Sequence, residues 1–359
     1  MLKKYFQEIL FSLLVVLFSF SGLFIYLRLI NQGEKKDSGF VNATPTESNK
    51  YVCAANNFNC VKSLIIDLNG SNKNVLLFGN SQLGAINQFS EGEINYAHKL
   101  SIDINKNRSQ PLTVRSIWIP NATLGEFKEI YLSMRKCSAR IDNLILPLFL
   151  DDTREQEIRE SLKNYFSKIC DSFEPLSTNK YKKENNLNNI SNSDKLDKTI
   201  LKRAFILKEI GSINSHFRVF LYKLRNSIFG IKASSKRKIV PAAYEFNVEA
   251  LEDIIDLRKS SRMPTMLYIP PLLHFATGKD IPYFRDEYLN FKNEMKDICN
   301  KENCSFFDLD SIIPDNKWGY KDSTNLQREK KEIDFMHFTY DGHQIISKKL
   351  KNILNNLIN

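Results

Sequence analysis

Val75-Leu-Leu-Phe-Gly-Asn-Ser-Gln-Leu83 is the stretch that most narrows what this chain can become. Four apolar residues run without a break into Gly79-Asn80-Ser81, as in a strand buried on both faces of a parallel sheet. A glycine-containing turn then places the next side chain at the carboxyl edge of the sheet, where open α/β sheets put their ligands. Ser81, delivered to that edge, is a candidate nucleophile if a base comes from elsewhere in the chain.

The rest of the chain supplies the sheet. After Val75–Phe78, a helical segment is expected from Gln82 onward. A second extended stretch, Leu112–Ile119, ends at Pro120-Asn121-Ala122-Thr123, and Thr123 is placed to cap a helix over Leu124–Arg135 with Glu126 in its first turn. Asn143–Leu150 reads as a third strand closing on Asp151-Asp152, with a charged helix from Arg154 to Ile169. After a lapse the rhythm returns: a helix over Tyr244–Lys259, a strand Thr265–Ile269, a helix Tyr283–Asn300, a strand Ser305–Leu309, and a last helix starting near Asp341-Gly342. Strand and helix in alternation indicate a parallel sheet with crossover helices, an α/β fold.

Three stretches stand outside that rhythm. Tyr5–Ile30 is almost continuously apolar, and Ile9–Leu27 is long enough to cross a bilayer as a helix. Lys3 and Lys4 precede it and no small-x-small cleavage site follows, so residues 1–30 read as a cytoplasmic tip and uncleaved signal anchor. Residues 31–50 are polar and rich in turn formers, a linker to a body spanning 51–359. Within that body, 171–240 reads as a basic, partly helical insert, with apolar and basic residues alternating over Thr199–Ile231; its plain reading is a helix packed on the core, its other reading a membrane-surface or polymer-lining helix.

The chain carries 51 Lys and Arg against 41 Asp and Glu, a net charge of +10, which suits a surface beside a membrane or an anionic polymer. No nucleic-acid motif, zinc-finger spacing or phosphate-binding glycine loop is present. Six cysteines with no CxxC motif, behind an export signal, favour disulfides and an oxidising compartment. Cys53 with Cys60, Cys299 with Cys304 and Cys137 with Cys170 is the pairing expected among fifteen possible ones.

The base that Ser81 needs is offered just before the last helix, in Asp334-Phe-Met-His-Phe-Thr-Tyr-Asp-Gly-His343. A serine hydroxyl is a poor nucleophile until an imidazole takes its proton, and the imidazole must be held by an acceptor on its other nitrogen. Asp334 and His337, three apart on one loop, supply orienter and base. Asp341 and His343 form a local rival pair, for which a helix cap and first-turn position suffice. Asp151 and Asp152 stand at a strand end, either lining the site or solvated.

Gly79-Asn80-Ser81 near the start of the domain, with Asp-x-x-His before its last helix, resembles the SGNH (GDSL-type) hydrolase superfamily over roughly Lys73–Leu350. The Asp334-Phe-Met-His-Phe-Thr version, with Trp318-Gly319 upstream, is most similar to the membrane-anchored envelope branch, which includes the D-alanyl transfer protein DltD and alginate O-acetylation proteins. The resemblance implies a flavodoxin-like three-layer fold and ester chemistry, with Ser81 as nucleophile, His337 as base, Asp334 as orienter and neither metal nor organic cofactor. The chain departs from the pattern at Asn80, where most members have Asp. It also lacks the second-block Gly and the third-block Gly-x-Asn that furnishes an oxyanion donor. The Ser81 N–H and Asn121 are the donors that remain as candidates.

The function expected is that of a single-pass inner-membrane protein with its body on the periplasmic side. It would be a serine esterase or O-acyltransferase acting on O-acetyl esters of envelope polysaccharide or glycolipid, beside a membrane-bound O-acyltransferase. The alternative is a non-catalytic envelope assembly protein that binds polysaccharide or such an acyltransferase through the same fold.

Overall fold

The computed structural model describes residues 43–171 and 219–358, apart from 72, 107, 157, 233–234, 274–280, 303 and 327–330. The signal anchor, most of the linker and the insert over 172–218 lie outside the described residues. Among the described residues no helix is long and apolar enough to cross a membrane.

Six strands form one all-parallel sheet: β2 (Val52–Ala54), β3 (Asn74–Gly79), β5 (Thr113–Trp118), β6 (Asn143–Pro147), β7 (Thr265–Ile269) and β8 (Ser305–Asp308), in the order β2-β5-β3-β6-β7-β8. All six residues of β3 are buried, as its unbroken apolar run requires between two helix layers. Taking β3, β5, β6, β7 and β8 as first to fifth, the order is the flavodoxin-like 2-1-3-4-5, with β2 added beyond β5. The chain leaves β3 toward β5 on one side and later returns to β6 on the other. That reversal opens a crevice at the carboxyl ends of β3 and β6.

Helices cover both faces. On one, α3 (Tyr96–Asp103) packs against α8 (Tyr340–Ile358). On the other, α4 (Leu124–Lys136) packs against α5 (Glu160–Asp171) and α6 (Pro241–Ser260), while Phe58 of α1 (Phe58–Asn69) meets Tyr165 of α5 edge-on. α7 (Arg285–Lys301) joins through the Tyr244–Phe291 ring contact. The α4 start carries the full reciprocal cap expected there: Thr123 accepts from the Glu126 N–H and Glu126 accepts from that of Thr123. The fold is thus the three-layer α/β arrangement expected.

Several elements differ from the sequence reading. The helix after Ser81 is a single turn, α2 (Ser81–Gly84), because the chain swings at once into β4 (Ala85–Asn87), which pairs antiparallel with β1 (Ala43–Pro45). Gly84 lies flat under the Trp118 ring, where any Cβ would overlap the indole. β1 also means that the linker stops short of residue 50; Thr46 donates its backbone N–H to Gly84 O at 2.8 Å. The helix expected from Arg154 starts at Glu160, after a 3₁₀ turn over Leu150–Thr153 in which Thr153 Oγ1 donates back to Leu150 O.

Cys53–Cys60 and Cys299–Cys304 are disulfides. Cys137 is disulfide-bonded too; the Cys170 side chain lies outside the described residues. Residues 43–171 and 231–358 fall in one compact unit, and the stretch 219–230 in another. By itself that stretch is helical over 219–228 and exposes Phe220, Leu221, Ile228 and Phe229.

Candidate active site

Ser81 opens α2 at the carboxyl end of β3. Asn80 caps it: the Asn80 Oδ1 accepts from the Gln82 N–H at 3.0 Å, and its Nδ2 faces the Asp152 carboxyl at 3.4 Å. Asn80 therefore bridges the exits of β3 and β6 across the crevice.

The partner segment is a strand rather than a loop. Asp334 and His337 lie in β10 (Lys331–Phe338), which pairs antiparallel with β9 (Trp318–Asp322), and the register breaks between Ile333 and Phe338. In a regular strand, residues three apart point to opposite faces. The irregularity removes that constraint, so that Asp334 and His337 are both buried and turned to one another. His337 Nδ1 lies 2.9 Å from Asp334 Oδ2, and His337 Nε2 lies 3.0 Å from Ser81 Oγ. With Nδ1–H donated to the carboxylate, Nε2 is left to accept from the serine hydroxyl.

Asp334 is itself held on all sides. Its Oδ1 accepts the backbone N–H groups of Met336 at 3.0 Å and His337 at 3.3 Å, and its Oδ2 accepts Asn87 Nδ2 at 3.2 Å. Burial pulls its pKa upward, but the neighbouring His337, the charge of Lys321 and the Met336 N–H outweigh that, leaving the carboxyl below the usual carboxylate value. It stays a charged acceptor inside the protein. Gly319 leaves no room beyond its hydrogen for anything but the Asn87 side chain, so β9 presses Asn87 onto Asp334.

Gln82 fixes the serine side to the histidine side, a role the sequence reading did not find. Its Nε2 donates to Pro271 O at 2.8 Å and to Met336 O at 2.9 Å, so one buried amide ties α2 to the exit of β7 and to the residue before His337. His343, the rival base, lies elsewhere. It is fully buried, Nδ1 accepting the Tyr96 N–H at 3.1 Å and Nε2 donating to Ala85 O at 3.2 Å. Both nitrogens are occupied structurally. Asp341, its proposed partner, pairs instead with Lys317 at 2.6 Å.

Ser81 and His337 open into a cavity of about 330 Å³ that also receives Asn121, Asp151, Asp152, Arg154 and Arg237. Asn121 follows β5 with φ of 51°, left-handed, and is exposed at the rim. Asp152 is buried; desolvation, with the Asp151 charge added, pushes its pKa well above the ordinary value against the opposing Asn80 contact. Arg154 and Arg237 carry no site signal in the sequence: the first stands where a charged helix is expected to start, the second near the end of the basic insert. Among the described residues no cluster of His, Cys, Asp and Glu is arranged to hold a metal ion.

No protein-family model matches the chain, and no curated protein matches it in sequence. Two solved structures align over most of their length: an alpha/beta hydrolase enzyme from the metagenome of Lake Arreo, Spain, covers 78% of this chain and 94% of its own at 10% identity and a TM-score of 0.41. An acetylxylan esterase from Geobacillus stearothermophilus covers 79% and 94% at 10% identity and a TM-score of 0.40. Likeness of this size assigns neither activity nor substrate. The chemistry rests on the residues themselves: a hydroxyl on an imidazole on a buried carboxylate, open to a polar cavity.

Proposed function

We propose that this protein is an SGNH-type serine esterase or O-acyltransferase, tethered to the membrane through residues 9–27, with its body in the periplasm. What supports the reading above all is the unbroken contact from Ser81 Oγ through the His337 ring to Asp334 at 3.0 and 2.9 Å. Ser81 Oγ attacks the ester carbonyl while its proton passes to His337 Nε2. The tetrahedral intermediate collapses, the C–O bond to the alcohol breaks, and the departing oxygen takes that proton. Water or a sugar hydroxyl then gives its proton to His337 and attacks the Ser81 ester. The bond from the acyl carbon to Ser81 Oγ breaks, Oγ takes the proton back from His337, and the product is the free acid or the new sugar ester. Asp334 keeps the imidazole in the tautomer that can accept at Nε2. The Ser81 N–H, first in its helix, and Asn121 are the proposed oxyanion donors. Such a donor contributes about 2.7–4 kcal/mol to the transition state.

The substrate proposed is an O-acetyl ester on an envelope polysaccharide or glycolipid, with a membrane-bound O-acyltransferase as partner. A fluorophosphonate probe tests the nucleophile on the full-length protein. Labelling at Ser81 is expected, abolished in Ser81→Ala and slowed by a factor on the order of 10⁴ in His337→Ala. An unlabelled, folded wild type would favour the second reading, a non-catalytic envelope assembly protein, motivated by the strand end Leu148–Thr153 that offers no amide side chain. In cells, Ser81→Ala should abolish polymer acylation; undiminished acylation would refute the catalytic role.

A further inference from the structure

The cavity beside Ser81 holds an arrangement that the ester chemistry does not use. Asp151, just past β6, is shared between two arginines: its Oδ1 accepts Arg154 Nη1 at 3.3 Å, and its Oδ2 accepts Arg237 Nη1. Each guanidinium spends one nitrogen on that carboxylate, and each carries five N–H donors in a rigid planar fork. Arg154 Nε is buried with no hydrogen-bond partner among the described residues. A buried donor without a partner costs about 1–3 kcal/mol, a cost that a bound acceptor would remove.

Arg237 is held in place rather than draped over the surface. Its N–H donates to Pro282 O at 3.0 Å, the flanking Lys236 Nζ reaches Tyr283 O at 2.9 Å, and the Ile239 N–H reaches Glu287 at 3.3 Å. The guanidinium lies over the Phe335 ring, 4.8 Å from its centre, and Phe335 is the residue between Asp334 and Met336. The cation is thus stacked on the strand that carries His337.

The two arginines carry one charge more than the single carboxylate they share. Lys321 lines the opposite side, where its charge falls on Asp334. Asp334 is committed to His337. Glu155 also lines the cavity, but it is solvent-exposed and screened. Asp152, with its raised pKa, contributes less negative charge than its side chain suggests.

We propose that Arg154 and Arg237 form an anion subsite beside Ser81, so that the ester this protein takes bears a carboxylate or phosphate group close to its acyl group. The second half of that statement rests on the reading of Ser81 as the nucleophile; the anion subsite itself does not. A forked guanidinium matches the two oxygens of a carboxylate or phosphate in one plane, and two forks angled by a shared Asp151 select for such a group over a neutral hydroxyl.

Calorimetric titration of the full-length Ser81→Ala protein with glucuronate, glucose and inorganic phosphate tests this, since none of the three probes carries an ester. Glucuronate or phosphate should bind at least about tenfold more tightly than glucose. Arg237→Gln and Arg154→Gln should each weaken the anion by about 10–100-fold, the range of a charge-assisted hydrogen bond. Arg237→Lys, which keeps the charge and loses the fork, should fall between, and an unchanged near-ultraviolet circular dichroism spectrum checks that each variant is folded. Tighter binding of glucuronate assigns the group to a carboxylated sugar, and tighter binding of phosphate to a phosphate ester. Equal binding of glucose and glucuronate, no binding of either anion, or folded arginine variants that bind like the parent would overturn the proposal. Absence of fluorophosphonate labelling alongside intact anion binding would instead remove the catalytic reading and leave the subsite standing.

Discussion

His343 sits under the site with no exposure, and its two ring nitrogens are both committed: one receives the Tyr96 N–H, the other gives its proton to Ala85 O. A second proton has no acceptor there and would face the Tyr96 N–H head on. Burial accordingly pushes the imidazole from its ordinary 6.5 down to about 3, with His337 adding to the effect against the opposing Ala85 contact. Between those two values the unfolded chain binds a proton that the folded one refuses, so stability falls as the pH falls. The slope is about 1.4 kcal/mol per pH unit, or roughly 5 kcal/mol across the full interval. Urea titrations of wild type and His343→Gln at pH 7, 6 and 5 isolate this group from the carboxylates that both proteins share. At pH 7 the variant should be less stable by about 1–3 kcal/mol, the cost of leaving the Tyr96 N–H and Ala85 O unmatched. From pH 6.5 to 5 the wild type should lose about 2 kcal/mol more than the variant, and the gap should close. A gap that stays constant from pH 7 to 5 would refute the assignment of a neutral, doubly bonded His343.

Gln82→Ala removes both ties between the serine segment and the histidine segment, worth about 1 kcal/mol each. The labelling rate at Ser81 should drop by about tenfold or more, with the thermal midpoint lowered by only a few degrees; a rate equal to wild type would show that α2 and β10 hold their spacing without it. Asp152→Asn should act in the opposite sense on stability. A carboxyl whose pKa is raised on folding loses stability as the pH rises from about 3.8 toward its folded value, and an amide does not. The variant should therefore melt higher at pH 7, by about 2–4 °C per kcal/mol recovered, and the advantage should vanish near pH 4. A lower midpoint at pH 7 would show that Asp152 is charged and held as an ion.

The central strands were legible because parallel strands between two helix layers must be apolar at every position; Val75–Phe78 and Thr265–Ile269 carry that signature. Thr123 and Glu126 were legible because a cap is a local hydrogen-bond pattern. Ser81, Asp334 and His337 could be named from types and order. The strand that carries two of them could not: β10 pairs with β9 outside the main sheet, and its register break erases the alternation by which strands are recognised. The one-turn length of α2 depends on Gly84 lying against Trp118, a contact across 34 residues of chain that no local pattern encodes. Gln82, Asn87 and Arg237 were missed for the same reason. Each acts through a partner from another element, and alone each reads as an ordinary surface or turn residue.

The brevity of α2 has a consequence for how Ser81 can be activated. A nucleophile at the head of a long helix borrows the field of many aligned peptide dipoles, which steadies negative charge as it develops on oxygen. Ser81 heads four residues, after which the chain is extended, and so few dipoles stand behind it. The field at its oxygen must come from point sources instead: the imidazolium that forms as the proton moves, which Asp334 stabilises from behind, and the cations on the cavity wall. Salt should consequently slow this serine more than it would one backed by a buried helix, since Arg154, only partly buried, is within reach of solvent ions.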